Sequence, residues 1–223
     1  MTGVLICLVG IDGSGKTTLA KELLNSSGKR GLRMQYVWGK FESRLLKLLI
    51  ALKNLFLVRE ANWKENYARS RNLKSAVFRN RFARGLYEAF VWPVYWMQIT
   101  AKVSLPLRVG RHILCDRYLY DTVVDLAMDL QYSEEELAAR ISRALRFFPW
   151  PDLMLYIRVP ADVAFARKQD IPSLGVLEEK RVRYEGMVQS VGGIILDGTK
   201  PLPELTAEAE SFIPPLLREV HHE

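Results

Sequence analysis

Gly10-Ile11-Asp12-Gly13-Ser14-Gly15-Lys16-Thr17 fits the spacing G-x-x-x-x-G-K-[ST]. Each fixed position has a physical task. Glycines let successive backbone N–H groups turn toward one anion, and a helix starting at the end of the motif adds its positive dipole. Lys16 can then reach the outer phosphates of a nucleotide, while the Thr17 hydroxyl can ligate Mg²⁺. Four such fixed positions arise by chance in about one chain in a hundred of this size. The flanking sequence agrees with the chemistry. Val4 to Val9 is an apolar run suited to a buried strand, and Thr17 to Leu24 has helical spacing. Gly10, Asp12, Gly13, Ser14, Gly15, Lys16, Thr17 and Thr18 are therefore the candidate nucleotide-binding residues, with ATP and Mg²⁺ the expected cofactors.

Such a loop must be held by alternating strands and helices, and the chain supplies them. Further strands are expected at Arg33 to Trp38, His112 to Cys115, Leu153 to Ile157 and Gly193 to Leu196. Helices are expected from about Phe41 to Leu107 with breaks near Asn62 and Gly85, then at Leu119 to Met128, Glu134 to Phe147, Asp162 to Lys168, Leu177 to Gln189 and Glu204 to Val220. The first helix, over Thr17 to Leu24, is expected to stop at Ser26-Ser27-Gly28. The pattern predicts an α/β fold: a five-stranded parallel sheet with helices on both faces, and a mobile lid at about residues 167–178. At 223 residues the chain has the length of one domain, here with a basic helical insertion at about 41–85. Its 49% hydrophobic and 26% charged residues exclude disordered and low-complexity classes. Two cysteines, Cys7 and Cys115, exclude a disulfide framework and are expected to be reduced and buried. With no visible signal peptide and no run of about 20 apolar residues, a cytoplasmic protein is expected. The guanine-reading N/T-K-x-D of GTPases and the ABC signature are both absent, which favours a small-molecule kinase.

Four stretches together resemble the thymidylate kinase family of nucleoside monophosphate kinases. They are the loop at Gly10 to Thr18 with its carboxylate Asp12, the triplet Asp116-Arg117-Tyr118, the passage from Pro151-Asp152-Leu153 through Val159-Pro160 to Arg167, and Asp197-Gly198 with Pro201 to Glu204. The P-loop is shared by many families, and Asp116-Arg117-Tyr118 at its distance narrows the choice. The resemblance implies a P-loop NTPase fold and the reaction dTMP + ATP giving dTDP + ADP. It places Asp116 with Thr17 at Mg²⁺, Arg117 between donor and acceptor phosphates, and Asp12 at an acceptor sugar hydroxyl. Arg167, with Lys168, would close on the transferring group, and Gly198 and Thr199 would lie against the adenine. Lys16, Asp116, Arg117 and Arg167 form the implied catalytic set. Arg181 and Arg183 are weaker lid candidates, and a homodimer is the expected assembly.

The departures from the family fall on the acceptor side. Trp38-Gly39-Lys40-Phe41-Glu42 stands where an R-E-P-G turn is usual, so Lys40 replaces a fork-shaped arginine by a point charge. Trp96 stands where the family has a base-reading arginine, and Trp92 remains as the aromatic platform one turn earlier. Asp121 and Asp125 replace a serine and an aromatic residue. Four apart, they share one helix face, and two carboxylates repel an anionic acceptor unless a cation stands between them. Lys40, Trp92, Trp96, Asp121 and Asp125 complete the candidate acceptor site with Asp12 and Arg117.

Between Arg44 and Arg84 eleven basic residues face only Glu60 and Glu65, so the net charge of +7 is concentrated there. The apolar helix predicted from Arg44 to Arg59 suits a core or dimer interface, an anionic membrane surface, or a cover for a lipid-like acceptor. No nucleic-acid motif accompanies the basic stretch, so nucleic acid is not an expected partner and the reading kept is the rim of a cleft that attracts phosphates. Two further functions stay open beside nucleoside monophosphate phosphorylation. One is phosphorylation of another small acceptor, such as a nucleoside, sugar or lipid-linked alcohol. The other is an ATP-binding regulator or membrane-surface adaptor.

Overall fold

The computed structural model describes residues 3–41, 78–168, 171 and 173–213. Five strands form one sheet: β1 (Leu5–Val9), β2 (Met34–Trp38), β3 (His112–Asp116), β4 (Leu153–Arg158) and β5 (Ile194–Asp197). Every pairing is parallel, in the order β2-β3-β1-β4-β5. The central strands are apolar without alternation, and Val4 to Val9 are wholly buried, as a strand covered on both faces requires.

The connections place the helices. From β1, helix α1 (Lys16–Lys29) crosses past β3 to reach β2. Helix α2 (Arg81–Ile99) and the short α3 (Leu105–Arg108) lead back to β3. Helices α4 (Leu119–Leu130) and α5 (Glu134–Ala144) then lead to β4, and α6 (Ala161–Arg167) and α7 (Leu174–Val191) to β5. Right-handed crossovers running in opposite directions put α1 on one face of the sheet and the later helices on the other. The packing agrees: α4, α5 and α7 pack on one another, while the closing helix α8 (Leu202–Ser211) returns to α1. The α/β sheet anticipated from the sequence is therefore present with all five strands parallel.

Some boundaries differ from expectation. Helix α1 continues through Ser26-Ser27-Gly28 to Lys29, with Ser27 buried and Ser26 Oγ donating back to the Leu23 carbonyl. A helical serine that satisfies its hydroxyl this way does not terminate the helix. Gly85 and Pro93 both lie inside α2, and the irregularity comes later, as a π-helical stretch at Thr100–Ser104. Asn62 and most of the basic insertion lie outside the described residues, as do parts of the predicted lid. Among the described residues, no helix is long and apolar enough to cross a membrane.

Candidate active site

The site is built at the carboxyl ends of β1 and β3, where a parallel sheet of this kind opens a crevice. After β1 the chain turns through Gly10, Gly13 and Gly15, all at positive φ. At Gly13 a side chain would also be blocked, since a Cβ would stand 2.4 Å from the Ala164 carbonyl oxygen of α6. The loop wraps Lys16, which is buried. Its ammonium donates to the carbonyls of Gly10 at 2.7 Å and Ile11 at 2.6 Å, and to Ser14 Oγ at 3.3 Å. Burial, with the Arg117 charge adding to it, lowers the Lys16 pKa to about 8. The lysine is thus held on its own loop by three weak acceptors, which leaves it ready to exchange them for stronger anionic ones.

Across from the loop, Thr17 Oγ1 donates to Asp116 Oδ2 at 2.5 Å, and the Tyr36 hydroxyl donates to the same oxygen at 3.0 Å. Asp116 is wholly buried, and its Oδ1 has no hydrogen-bond partner among the described residues. A buried carboxylate oxygen without a donor is costly, and beside a threonine hydroxyl it suits a hard divalent cation. Among the described residues no three His, Cys, Asp or Glu side chains gather around a metal. This donor set therefore fits Mg²⁺ that brings most of its oxygens from nucleotide phosphates and water.

Arg117 follows Asp116 with φ 67, a conformation that long side chains rarely adopt. Three contacts hold it. Its N–H donates to the Leu8 carbonyl at 3.1 Å, Cys115 Sγ donates to its carbonyl oxygen at 2.9 Å, and Gly39 lies against that same carbonyl. A Cβ at Gly39 would be 2.4 Å from the Arg117 oxygen and 2.6 Å from Cys115 Sγ. The turn after β2 is itself anchored by α2, with the Tyr95 hydroxyl donating to the Gly39 carbonyl at 2.9 Å and Gln98 Nε2 to the Lys40 carbonyl at 2.8 Å. Strain kept in place by neighbouring elements is what a positioned functional side chain looks like.

From Arg117 the charges alternate in a chain. Its guanidinium pairs with Asp12 on the loop and lies 3.5 Å from Asp121 Oδ1 on α4. Asp12 is also bound by Lys180 Nζ of α7 at 3.0 Å. Lys180 reaches Asp125 Oδ1 at 2.6 Å, and Lys40 Nζ takes the other oxygen of Asp125, also at 2.6 Å. The sequence Asp121, Arg117, Asp12, Lys180, Asp125, Lys40 thus joins the P-loop, β3, α4, α7 and the β2 turn. Burial works against each charge, and the neighbours decide the outcome. Lys180 and Arg117 hold the Asp12 carboxyl well below the usual range, while Lys180 and Lys40 hold that of Asp125 at about 2. Asp121 and Asp12 raise the Arg117 pKa, and Asp125 and Asp12 raise that of Lys180. Asp121 differs. It is wholly buried, and burial raises its pKa even though it accepts hydrogen bonds from the Tyr184 hydroxyl at 2.6 Å and the Tyr118 N–H at 3.2 Å.

The structure brings Lys16, Thr17, Asp12, Asp116, Arg117, Asp121, Asp125 and Lys40 into one connected region. It sets other candidates apart. Arg167 is exposed and donates to the Gly198 carbonyl at 3.0 Å, and Thr199 is tied to Asp197 through its N–H and hydroxyl. These three residues lie at the ends of α6 and β5. Gly198 is packed so that a Cβ would meet Val159 and Ile157 within 2.6 Å. Trp92 and Trp96 line a groove of about 330 Å³ between α2 and α5 with Glu88, Arg140 and Phe147, and none of the other candidate residues lines it. Among the weaker lid candidates, Arg181 pairs with Glu178 and Glu185 on its own helix, and Arg183 reaches the Tyr132 carbonyl. Sequence reasoning passed over Lys180, which lies between Asp12 and Asp125. The available signal was helical phase. Lys180 and Tyr184 are one turn apart on α7, and both reach the carboxylates of α4.

No protein-family model matches the chain. Over 220 residues it is 29% identical to a probable thymidylate kinase of Metallosphaera sedula, covering 96% of this chain and 93% of that one. Over 119 residues it is 30% identical to a thymidylate kinase of Chlamydia caviae, covering 48% of this chain and 56% of that one.

Proposed function

We propose that the chain is a Mg-ATP-dependent nucleotide kinase that phosphorylates a nucleoside monophosphate, with dTMP the first acceptor to test. The observation that carries this reading is Arg117. Its guanidinium stands between the phosphate loop, through Asp12, and the acceptor-side carboxylate Asp121. The names of the two relatives support the same reading.

In this reading the chain needs little covalent chemistry and supplies position and charge. The loop amides and Lys16 hold the donor's phosphates, with the Lys16 ammonium turning from the Gly10 and Ile11 carbonyls to phosphate oxygens. Thr17 and Asp116 would hold Mg²⁺, which when bound neutralises charge on the β- and γ-phosphates. Arg117 meets charge from both sides as an acceptor phosphate oxygen attacks the γ-phosphorus and the bond to the β-phosphate oxygen breaks. Asp12 is released from part of its pairing to accept an acceptor hydroxyl. Arg167 would close over the donor and help exclude water. A homodimer is part of this reading.

A coupled ADP-release assay with Mg-ATP tests it against dTMP, dUMP, other monophosphates, thymidine and a few sugars. ADP formation that depends on a monophosphate, strongest with dTMP, is expected. ADP formation only with thymidine or a sugar would move the acceptor to another class. ATP binding without any acceptor dependence would favour an ATP-binding regulator.

A further inference from the structure

Asp125 occupies both of its carboxylate oxygens with ammonium groups, Lys180 on Oδ1 and Lys40 on Oδ2, each at 2.6 Å. The two lysines come from elements far apart in sequence, α7 and the turn after β2, and meet at one carboxylate. Lys180 is nearly enclosed, with 12% of its side chain exposed, and Asp12 of the phosphate loop is its only other ion-pair partner among the described residues. Written with every member ionised, the six-member chain balances three carboxylates against one guanidinium and two ammonium groups. A dianionic phosphate entering beside Arg117 meets cations that are already engaged. It gains their attraction by taking the place of a carboxylate. Asp12 and Asp125 each engage two cations, and Asp125 is the one whose partners are both ammonium groups. Its side chain is 26% exposed, so it can turn toward solvent, whereas Asp121 is sealed in place by Tyr184 and the Tyr118 amide.

We propose that Lys180 is an acceptor-phosphate ligand of this kinase, and that Asp125 is the counter-ion the phosphate displaces from Lys180 and Lys40. The inference rests on the kinase reading above and assigns the acceptor side of the same site. Asp125 therefore weakens acceptor binding, while Lys180 strengthens it. The two residues form one ion pair, yet removing them acts in opposite directions. A pair that served only to hold α7 against α4 would not behave so, because loss of either partner would harm the same packing.

The test compares wild type, Lys180→Met, Lys180→Arg and Asp125→Asn in the ADP-release assay. KM is measured for dTMP and for ATP, and dTMP and thymidine binding are titrated directly. Asp125→Asn is expected to lower the dTMP KM by about tenfold, the order of one uncompensated charge in a partly buried site. Lys180→Met is expected to raise it by about tenfold or more, with Lys180→Arg near wild type. Thymidine, which lacks the phosphate, should show none of these shifts. Lys180→Arg covers the case in which the methionine variant fails to fold, since a tenfold loss in a folded Lys180→Arg would also count against the assignment. If wild type turns over dTMP but Lys180→Met and Asp125→Asn shift its KM in the same direction, or thymidine binding follows dTMP, the inference is overturned and the kinase reading stands. If wild type phosphorylates no monophosphate, the kinase reading falls and takes the inference with it.

Discussion

Asp121→Asn tests the buried end of the charge chain, and its cost can be worked from the contacts. Asp121 Oδ1 accepts from the Tyr184 hydroxyl at 2.6 Å and faces Arg117, and Oδ2 accepts from the Tyr118 N–H at 3.2 Å. Asparagine keeps the shape but has one acceptor and one donor. If its oxygen meets Tyr184, its NH₂ group faces the Tyr118 N–H, donor to donor. If it is flipped, the NH₂ faces the Arg117 guanidinium. Either way one buried donor is unmatched, costing about 1–3 kcal/mol. Arg117 also loses one of its two carboxylates but keeps Asp12, and that loss is set against the burial that works against the Asp121 charge and raises its pKa. The net cost is about 1–3 kcal/mol, or roughly 3–10 °C in melting temperature for a domain of this size. Calorimetric or circular-dichroism melting of Asp121→Asn beside Tyr184→Phe would read it, with Tyr184→Phe expected to lose about 1 kcal/mol. A melting temperature for Asp121→Asn within 1 °C of wild type, to the precision of about 0.3 kcal/mol that this implies, would refute the claim that Asp121 accepts a hydrogen bond on both oxygens.

Three further outcomes follow from the loop, the β2 turn and α1. Lys16 is held near pKa 8 in the free protein, and bound phosphates raise it, so ATP binding takes up a proton once the free lysine is neutral. ATP affinity should therefore be fully present below about pH 8 and be lost as pH rises through it, by about tenfold between pH 7 and 9, as fluorescence or calorimetric titration of ATP can show. A flat profile would mean that Lys16 is charged throughout and not desolvated as its contacts suggest. Gly39→Ala forces the Arg117 carbonyl away from a contact of 2.4 Å. It should cost about 1–3 kcal/mol in stability and on the order of 10²-fold in kcat/KM through a displaced Arg117. Gly28→Ala in α1, with open space around it, should be neutral or stabilising by about 0.5–1 kcal/mol.

The fold was legible because its signals are local. Most strands are short apolar runs bounded by polar or glycine residues, and the glycine loop between β1 and α1 sets the architecture around it. Helix ends were less legible. Ser26-Ser27-Gly28 reads as a stop in sequence, but α1 packs on α8, with Ser26 also bonded to Glu210, and the helix continues to Lys29. The glycine loop with Lys16 and Thr17 is legible for the same local reason. Farther from the loop, the carboxylates Asp121 and Asp125 are visible by their spacing, but their partners are not. Lys180 lies 55 positions beyond Asp125, and only the packing of α4 on α7 joins them. Trp96 was expected by position, and the turn of α2 puts it in the groove toward α5, while Tyr95 beside it reaches Gly39.

That packing also explains how two carboxylates can stand in the proposed acceptor site. Read along α4 alone, Asp121 and Asp125 repel an anion. In the folded chain Asp121 is matched by Arg117 and two hydrogen-bond donors, and Asp125 by two lysines, so neither presents an uncompensated negative charge. The alternation has a further consequence. Every interior member of the chain has an opposite charge on each side, so removing one leaves two neighbours short of a partner. Low-dielectric surroundings make that shortage expensive. Asp12 and Asp125 share Lys180, and Asp12 and Asp121 share Arg117. Paired substitutions within the chain should therefore depart from additivity, whereas Thr17 and Lys40, which share no partner, should combine additively. The six groups act as one unit, and in the proposed reading an incoming phosphate joins it by displacing one of its members.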